Sequence, residues 1–297
     1  GDLPDNHRAI IAAYTKARDD LGLKLEGVRF HRLVHAYVAL DRFDDAMKLL
    51  PEMKAAGATA AQRGLVLRRI IDRHLHGSAQ QRERVPALLE RYVQETRDER
   101  DPAARLEQEI WAVATEARLL IEVGDAQRAL ALLHRRTVMF KAETVDTASP
   151  EALAPLYGLM GQAYEKQGDI GAAEESYRIA DGRIDSTDPL KGQVLVGMGR
   201  VALAAGEENA AETAHGFFVQ AMREFEATPA YLDAVLGAAH SEALMDKPHD
   251  AIDHFHLAVE HIVKLRRDRD HYERKLTEMI SAHYDRRRDK GDYQGAL

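Results

Sequence analysis

The sequence contains no cysteine. Disulfides, thiolate metal sites and cysteine nucleophiles are therefore excluded. No apolar run approaches the roughly 20 residues that a helix needs to cross a bilayer, and no segment alternates with period two for long enough to suggest a sheet. Catalytic and nucleotide-binding signatures are missing as well. There is no G-x-S-x-G and no P-loop, and Gly197-Met198-Gly199 lacks both the third glycine and the preceding strand of a dinucleotide site. Positive charge is in deficit, with a net charge of −8, which helps solubility and argues against nucleic acid as the main partner. No signal peptide is recognisable. Gly1 reads as the scar of a tag or of processing, which leaves an earlier leader open. A cysteine-free soluble chain suits cytosol and periplasm alike, and the cytosol is taken first.

What is present belongs to a helical protein. The 297 residues are 45% hydrophobic and 30% charged, with 6% aromatics, too apolar for disorder. Between Pro150 and Arg183, Tyr157, Met160, Gly161 and Tyr164 mark one face of a first helix, and Ile170, Ala173, Tyr177 and Ala180 one face of a second. Gly168-Asp169 lies between them, a left-handed stop followed by a side-chain cap. The order Tyr157, Gly161, Tyr164, Ala173, Tyr177, Ala180 resembles a tetratricopeptide (TPR) repeat. The family's closing proline is absent, with Asp185 near its place and Pro189 slightly later.

Two devices recur along the chain. A capping residue before proline opens four helices, at Asp101-Pro102, Ser149-Pro150, Asp188-Pro189 and Thr228-Pro229. A turn ahead of each second helix is followed by a small residue at Ala46, Ala129, Ala173, Ala211, Ala251 and Ala296. The double-length gap after Ala46 places a decayed unit near Ala87, and the mean period is about 42, longer than the 34 of a standard TPR. The expected fold is an all-α, right-handed superhelical solenoid of antiparallel helix pairs forming one array. After a leading helix at 5–21 come pairs within 27–56, 59–97, 102–146, 150–184, 189–227 and 229–268. A truncated unit at 270–297 carries no polar cap and suggests a fragment of a longer protein. The stretch 30–58, ending in Leu49-Leu50-Pro51-Glu52-Met53-Lys54-Ala55-Ala56-Gly57, also resembles a pentatricopeptide (PPR) unit, which would imply RNA binding.

The TPR resemblance implies a concave face lined by first helices that binds extended peptides or helices. One residue past the small packing position, these helices present His35, Arg118, Gln162, Arg200 and His240 as a polar ladder for a peptide backbone or its acidic groups. Pairing with Glu122, Glu165 and Glu242 is the alternative. His31 and His35 have the spacing of a zinc pair without the H-E-x-x-H glutamate, and His254 shares a face with His261, but neither set reaches the three or four convergent ligands of a metal site. Trp111 and the stripe Phe217, Phe218, Ala221, Met222, Phe225 read as packing residues, and Arg286-Arg287-Arg288 as a solvated face. The expected function is a non-catalytic protein-interaction scaffold without metal or cofactor. Its partner is another protein or another domain of the full-length chain. A regulatory module of a larger enzyme, homo-oligomerisation and PPR-like RNA binding are the alternatives.

Overall fold

The computed structural model describes residues 4–22, 28–147, 150–265 and 269–289, and among them every regular element is helical. None of the described helices is long and apolar enough to cross a membrane. The chain divides into two compact units, 1–123 with 138–149 and 124–137 with 150–297.

The first unit contains α1 (Pro4–Leu21), α2 (Val28–Ala39), α3 (Phe43–Ala55), α4 (Ala60–Leu75), α5 (Ala79–Arg82), α6 (Val85–Thr96) and α7 (Pro102–Glu122), each packed mainly on its sequence neighbours. The decayed repeat is a real helix pair, α4 with α6. Its second helix does not run through 80–97 as the periodicity suggests. Pro86 is tolerated only in a first turn, so the chain breaks at Glu83-Arg84 and α6 starts at Val85. The packing position expected at Ala87 is taken by Leu88, and Ala87 itself is exposed. Thr59 with Gln62 and Ser78 with Gln81 form complete capping boxes for α4 and α5.

α8 (Ala126–Thr147) is divided between the units. The second unit continues with a short 3₁₀ turn (Pro150–Leu153), α9 (Ala154–Gln167), α10 (Ile170–Asp181), α11 (Pro189–Ala205), α12 (Ala210–Glu224), α13 (Ala230–Leu244), α14 (Pro248–Lys264) and α15 (Arg269–Asp289). Gly168 ends α9 at φ +78°, and Asp169 accepts from the Ala172 amide at 3.1 Å to start α10. Asp101 and Asp188 cap α7 and α11 as their Asp-Pro pairs imply. Thr228 does not cap, since its hydroxyl donates back to the Phe225 carbonyl and α13 begins after Pro229. Ser149 and Ala296 lie outside the described residues. Glycine is not essential at the turn before each second helix, because Asp41 and Asp246 adopt the positive φ that Gly124, Gly168 and Gly206 adopt in the other pairs.

Aromatic rings of the second helices sit against glycines of the first. A methyl group placed on Gly161 or Gly197 would come within 2.7 and 2.4 Å of the Tyr177 ring, and one on Gly199 or Gly237 within 2.7 and 2.4 Å of Phe218. Each ring therefore occupies the gap between two successive first helices. Tyr92 does the same in the first unit, lying against Gly64 and stacking on Trp111 at 4.8 Å between centroids. Phe218 follows Ala214, fully buried, so Ala214 and not Ala211 is the packing residue of its pair; α12 starts only at Ala210 and its face is shifted. Phe218, Ala221 and Phe225 are buried with Phe217 and Met222 packed beside them, as the sequence implies.

Gly197→Ala and Gly237→Ala should each destabilise the chain by about 1–3 kcal/mol, because the facing ring is buried and cannot retreat. Gly158→Ala meets only Val194 at 3.6 Å and should be neutral or stabilising by up to about 1 kcal/mol through helix propensity. Urea denaturation of the three variants checks this, and equal effects at all three positions would contradict the wedge.

Candidate functional site

The first helices α9, α11 and α13 lie side by side in the second unit and expose few polar groups. Of the ladder residues, Gln162, Arg200 and His240 belong to this unit, and His35 and Arg118 to the first. Arg200 is engaged. Its guanidinium donates through Nε and Nη2 to the two carboxylate oxygens of Glu165 at 2.6 and 3.0 Å, and Tyr177 Oη donates to the same carboxylate at 3.0 Å. Burial disfavours the Arg200 cation, but the Glu165 carboxylate outweighs it and holds the group above its ordinary value. Burial, aided by Glu165, pushes the Tyr177 phenol far up, so it serves only as a neutral donor.

The pattern extends across the unit. Asp233 of α13 adds to the field that favours Arg200 and accepts from Lys275 Nζ at 2.5 Å and Tyr272 Oη at 3.3 Å on α15. Charges thus alternate over four successive first helices as Glu165, Arg200, Asp233 and Lys275. Such pairs select the register of neighbouring helices more than they add stability.

Gln162 is half-buried and makes no hydrogen bond among the described residues. His240 is half-buried too, and burial, Arg286 and His283 all lower its tendency to take a proton. In the first unit His35 is exposed, with its ring 5.3 Å from that of His7. Arg118 is half-buried without a hydrogen bond or ion pair among the described residues. It acts electrostatically on Asp72, whose carboxyl is raised by burial while Arg118, His76 and Arg68 oppose the rise. Trp111 is covered by the Arg68 guanidinium at 4.8 Å and by Tyr92, a packing role.

A second polar cluster escaped the sequence reading. The Glu242 side chain is only 5% exposed, with His215 Nε2 of α12 at 3.0 Å from one oxygen and His254 Nδ1 of α14 at 2.7 Å from the other. Glu242 is therefore the partner of these two histidines and not of His240. The sequence offered one clue: Glu242 and His215 adjoin small buried residues, and His254 follows the packing residue Ala251 by about one turn. Arg287 also departs from its reading as solvated surface, being buried and directed at Asp246. Among the described residues no group of three or more histidine, cysteine, aspartate or glutamate side chains is placed to hold a metal ion. His261 stacks on Tyr231. No protein-family model and no curated protein matches the chain.

Replacing Glu242 with alanine leaves two part-buried imidazoles without their acceptor and should cost about 1–3 kcal/mol. Glu242→Gln, which keeps one acceptor oxygen, should lose less. Chemical denaturation distinguishes these outcomes, and a Glu242→Ala variant as stable as the parent would show that the cluster holds nothing together.

Proposed function

We propose that the chain is a TPR-like, non-catalytic scaffold whose first helices hold an extended peptide, a helix or a segment of a protein. In this reading the helix pairs form a right-handed superhelix with the first helices on its concave side. The partner is a separate protein or another part of a longer parent chain. One observation carries the reading: Arg118 and Gln162 stand half-buried on first helices with hydrogen-bonding capacity that no described residue uses. Their polar atoms are not sealed from solvent, so a ligand can replace their water without leaving a buried group unpaired. Arg118 supplies a fork for carboxylate or carbonyl oxygens, and Gln162 both donates and accepts, which suits a peptide backbone. Arg200 contributes through rigidity, because its bonds to Glu165 fix α9 against α11.

The test is site-specific photo-crosslinking in native lysate with benzoylphenylalanine at position 118, 162 or, on the outer face of a second helix, 174. Positions 118 and 162 should each capture a partner, and position 174 should not. Capture from position 174 alone would overturn the assignment of the binding face. A capture that maps to the chain itself would identify the occupant as intramolecular or as a second copy.

A further inference from the structure

The last described helix, α15, is attached to its unit in an unusual way. It is strongly polar and buries only Leu276 and Arg287, with Tyr272 and Met279 packed partly against the core. Its first half is held by Lys275 and Tyr272 on Asp233 of α13. Near its end Arg287 reaches Asp246 Oδ1 at 3.5 Å, a long contact for a side chain only 9% exposed. Between these anchors stands His283. Both of its ring nitrogens are buried and have no hydrogen-bond partner among the described residues. An imidazole placed this way packs as a neutral ring, and a proton added to it would find no acceptor.

The surroundings make that proton still less welcome. On α15 the flanking charges are Arg286 and Arg287. From α13 the group within electrostatic reach is His240, itself disfavoured as a cation by Arg286 and His283. Asp246, at the end of α13, is the one opposing charge acting on His283, and it also serves Arg287. No titratable group of α14 acts on either imidazole among the described residues.

We propose that α15 is an acid-released latch: protonation of His283, whose ring nitrogens are buried without a partner among the described residues, and of His240 on α13, both within the field of Arg286, detaches α15 from α13. Release uncovers Asp233 and His240 on the edge of α13. The sign follows from linkage. In the docked helix both imidazoles are lowered from the ordinary value of 6.5, by burial first and by the neighbouring cations second. The detached helix returns them to water, where they bind protons more readily. Docking is therefore complete above the ordinary histidine range. It weakens as pH falls from 6.5 towards the lowered values, by up to about tenfold per pH unit for each imidazole.

Hydrogen exchange of the full chain, read by mass spectrometry at pH 7.5 and 5.5 and corrected for intrinsic rates, tests this. Opening of α15 should rise at least tenfold at pH 5.5, while α9 to α13 change by less than threefold. In the His240→Leu/His283→Leu double variant, which fills the space without a titratable group, α15 should open equally at both pH values. Three results would overturn the latch: no rise in the parent chain, an equal rise in the double variant, or simultaneous loss of protection in α13. If the double variant fails to fold, NMR titration of the two rings in the parent decides. Midpoints below 6.5 support the latch, and midpoints at or above 6.5 refute it.

Discussion

The arrangement of the second unit depends on one steric constraint, an aromatic ring held between two glycines of neighbouring first helices. Tyr177 fills the space between Gly161 and Gly197, and Phe218 that between Gly199 and Gly237. A side chain at any of these glycines would push the helices apart, so the ring and the two missing side chains form one packing device. It binds each second helix to the first helix of its own pair and of the next. Glycine in a helix interior costs up to about 1 kcal/mol of propensity, a cost offset here by the burial of a large ring. In the first unit Tyr92 repeats the arrangement with a glycine on one side and Trp111 on the other, which shows that the device tolerates a second aromatic in place of one glycine.

Close approach of the first helices determines what their polar groups can do. With so little of α9, α11 and α13 exposed, a charged side chain on them finds its partner on the adjacent helix or goes without. Glu165, Arg200, Asp233 and Lys275 solve this by alternating in sign, and Tyr177 joins the network through its hydroxyl. Glu242 solves it with two histidines from the flanking second helices. On these three helices Gln162 and His240 remain outside both arrangements, and Gln162 is the one on which the proposed binding face draws. The packing device and the binding hypothesis are thus connected, since the first leaves few polar groups on the first helices and the second concerns the ones left over.

Much of the fold was legible in the sequence, because helix periodicity and capping are local. Gly168-Asp169 and the Asp-Pro starts at 101 and 188 act as their chemistry dictates. The decayed pair was harder. Leu88 replaced the small residue, and Pro86 cut the second helix short, so the repeat signature faded although the packing did not. Ala214 was displaced from Ala211 because the turn after Gly206 runs two residues longer than those after Gly124 and Gly168 before α12 begins. The polar site was less legible than the fold. Whether Arg200 faces a ligand or Glu165 depends on the rotation and spacing of two helices 35 residues apart, which no local pattern encodes. The burial of Glu242 and Arg287 is likewise set by tertiary packing: the sequence offered Glu242 as a partner for His240 and not for His215 and His254, and Arg287 read as a solvated face.

The most direct measurement of the central claim is a double-mutant cycle between the ring and the glycine it touches. Gly197→Ala, Tyr177→Leu and the double variant are compared with the parent by chemical denaturation. If the ring is the obstacle that keeps position 197 a glycine, the smaller side chain relieves the clash. The two changes should then be non-additive by about 1 kcal/mol or more, with the double variant more stable than the sum of the single effects allows. Additivity to within about 0.5 kcal/mol would mean that the Gly197 and Tyr177 contributions are independent, and the wedge would not be what spaces the first helices.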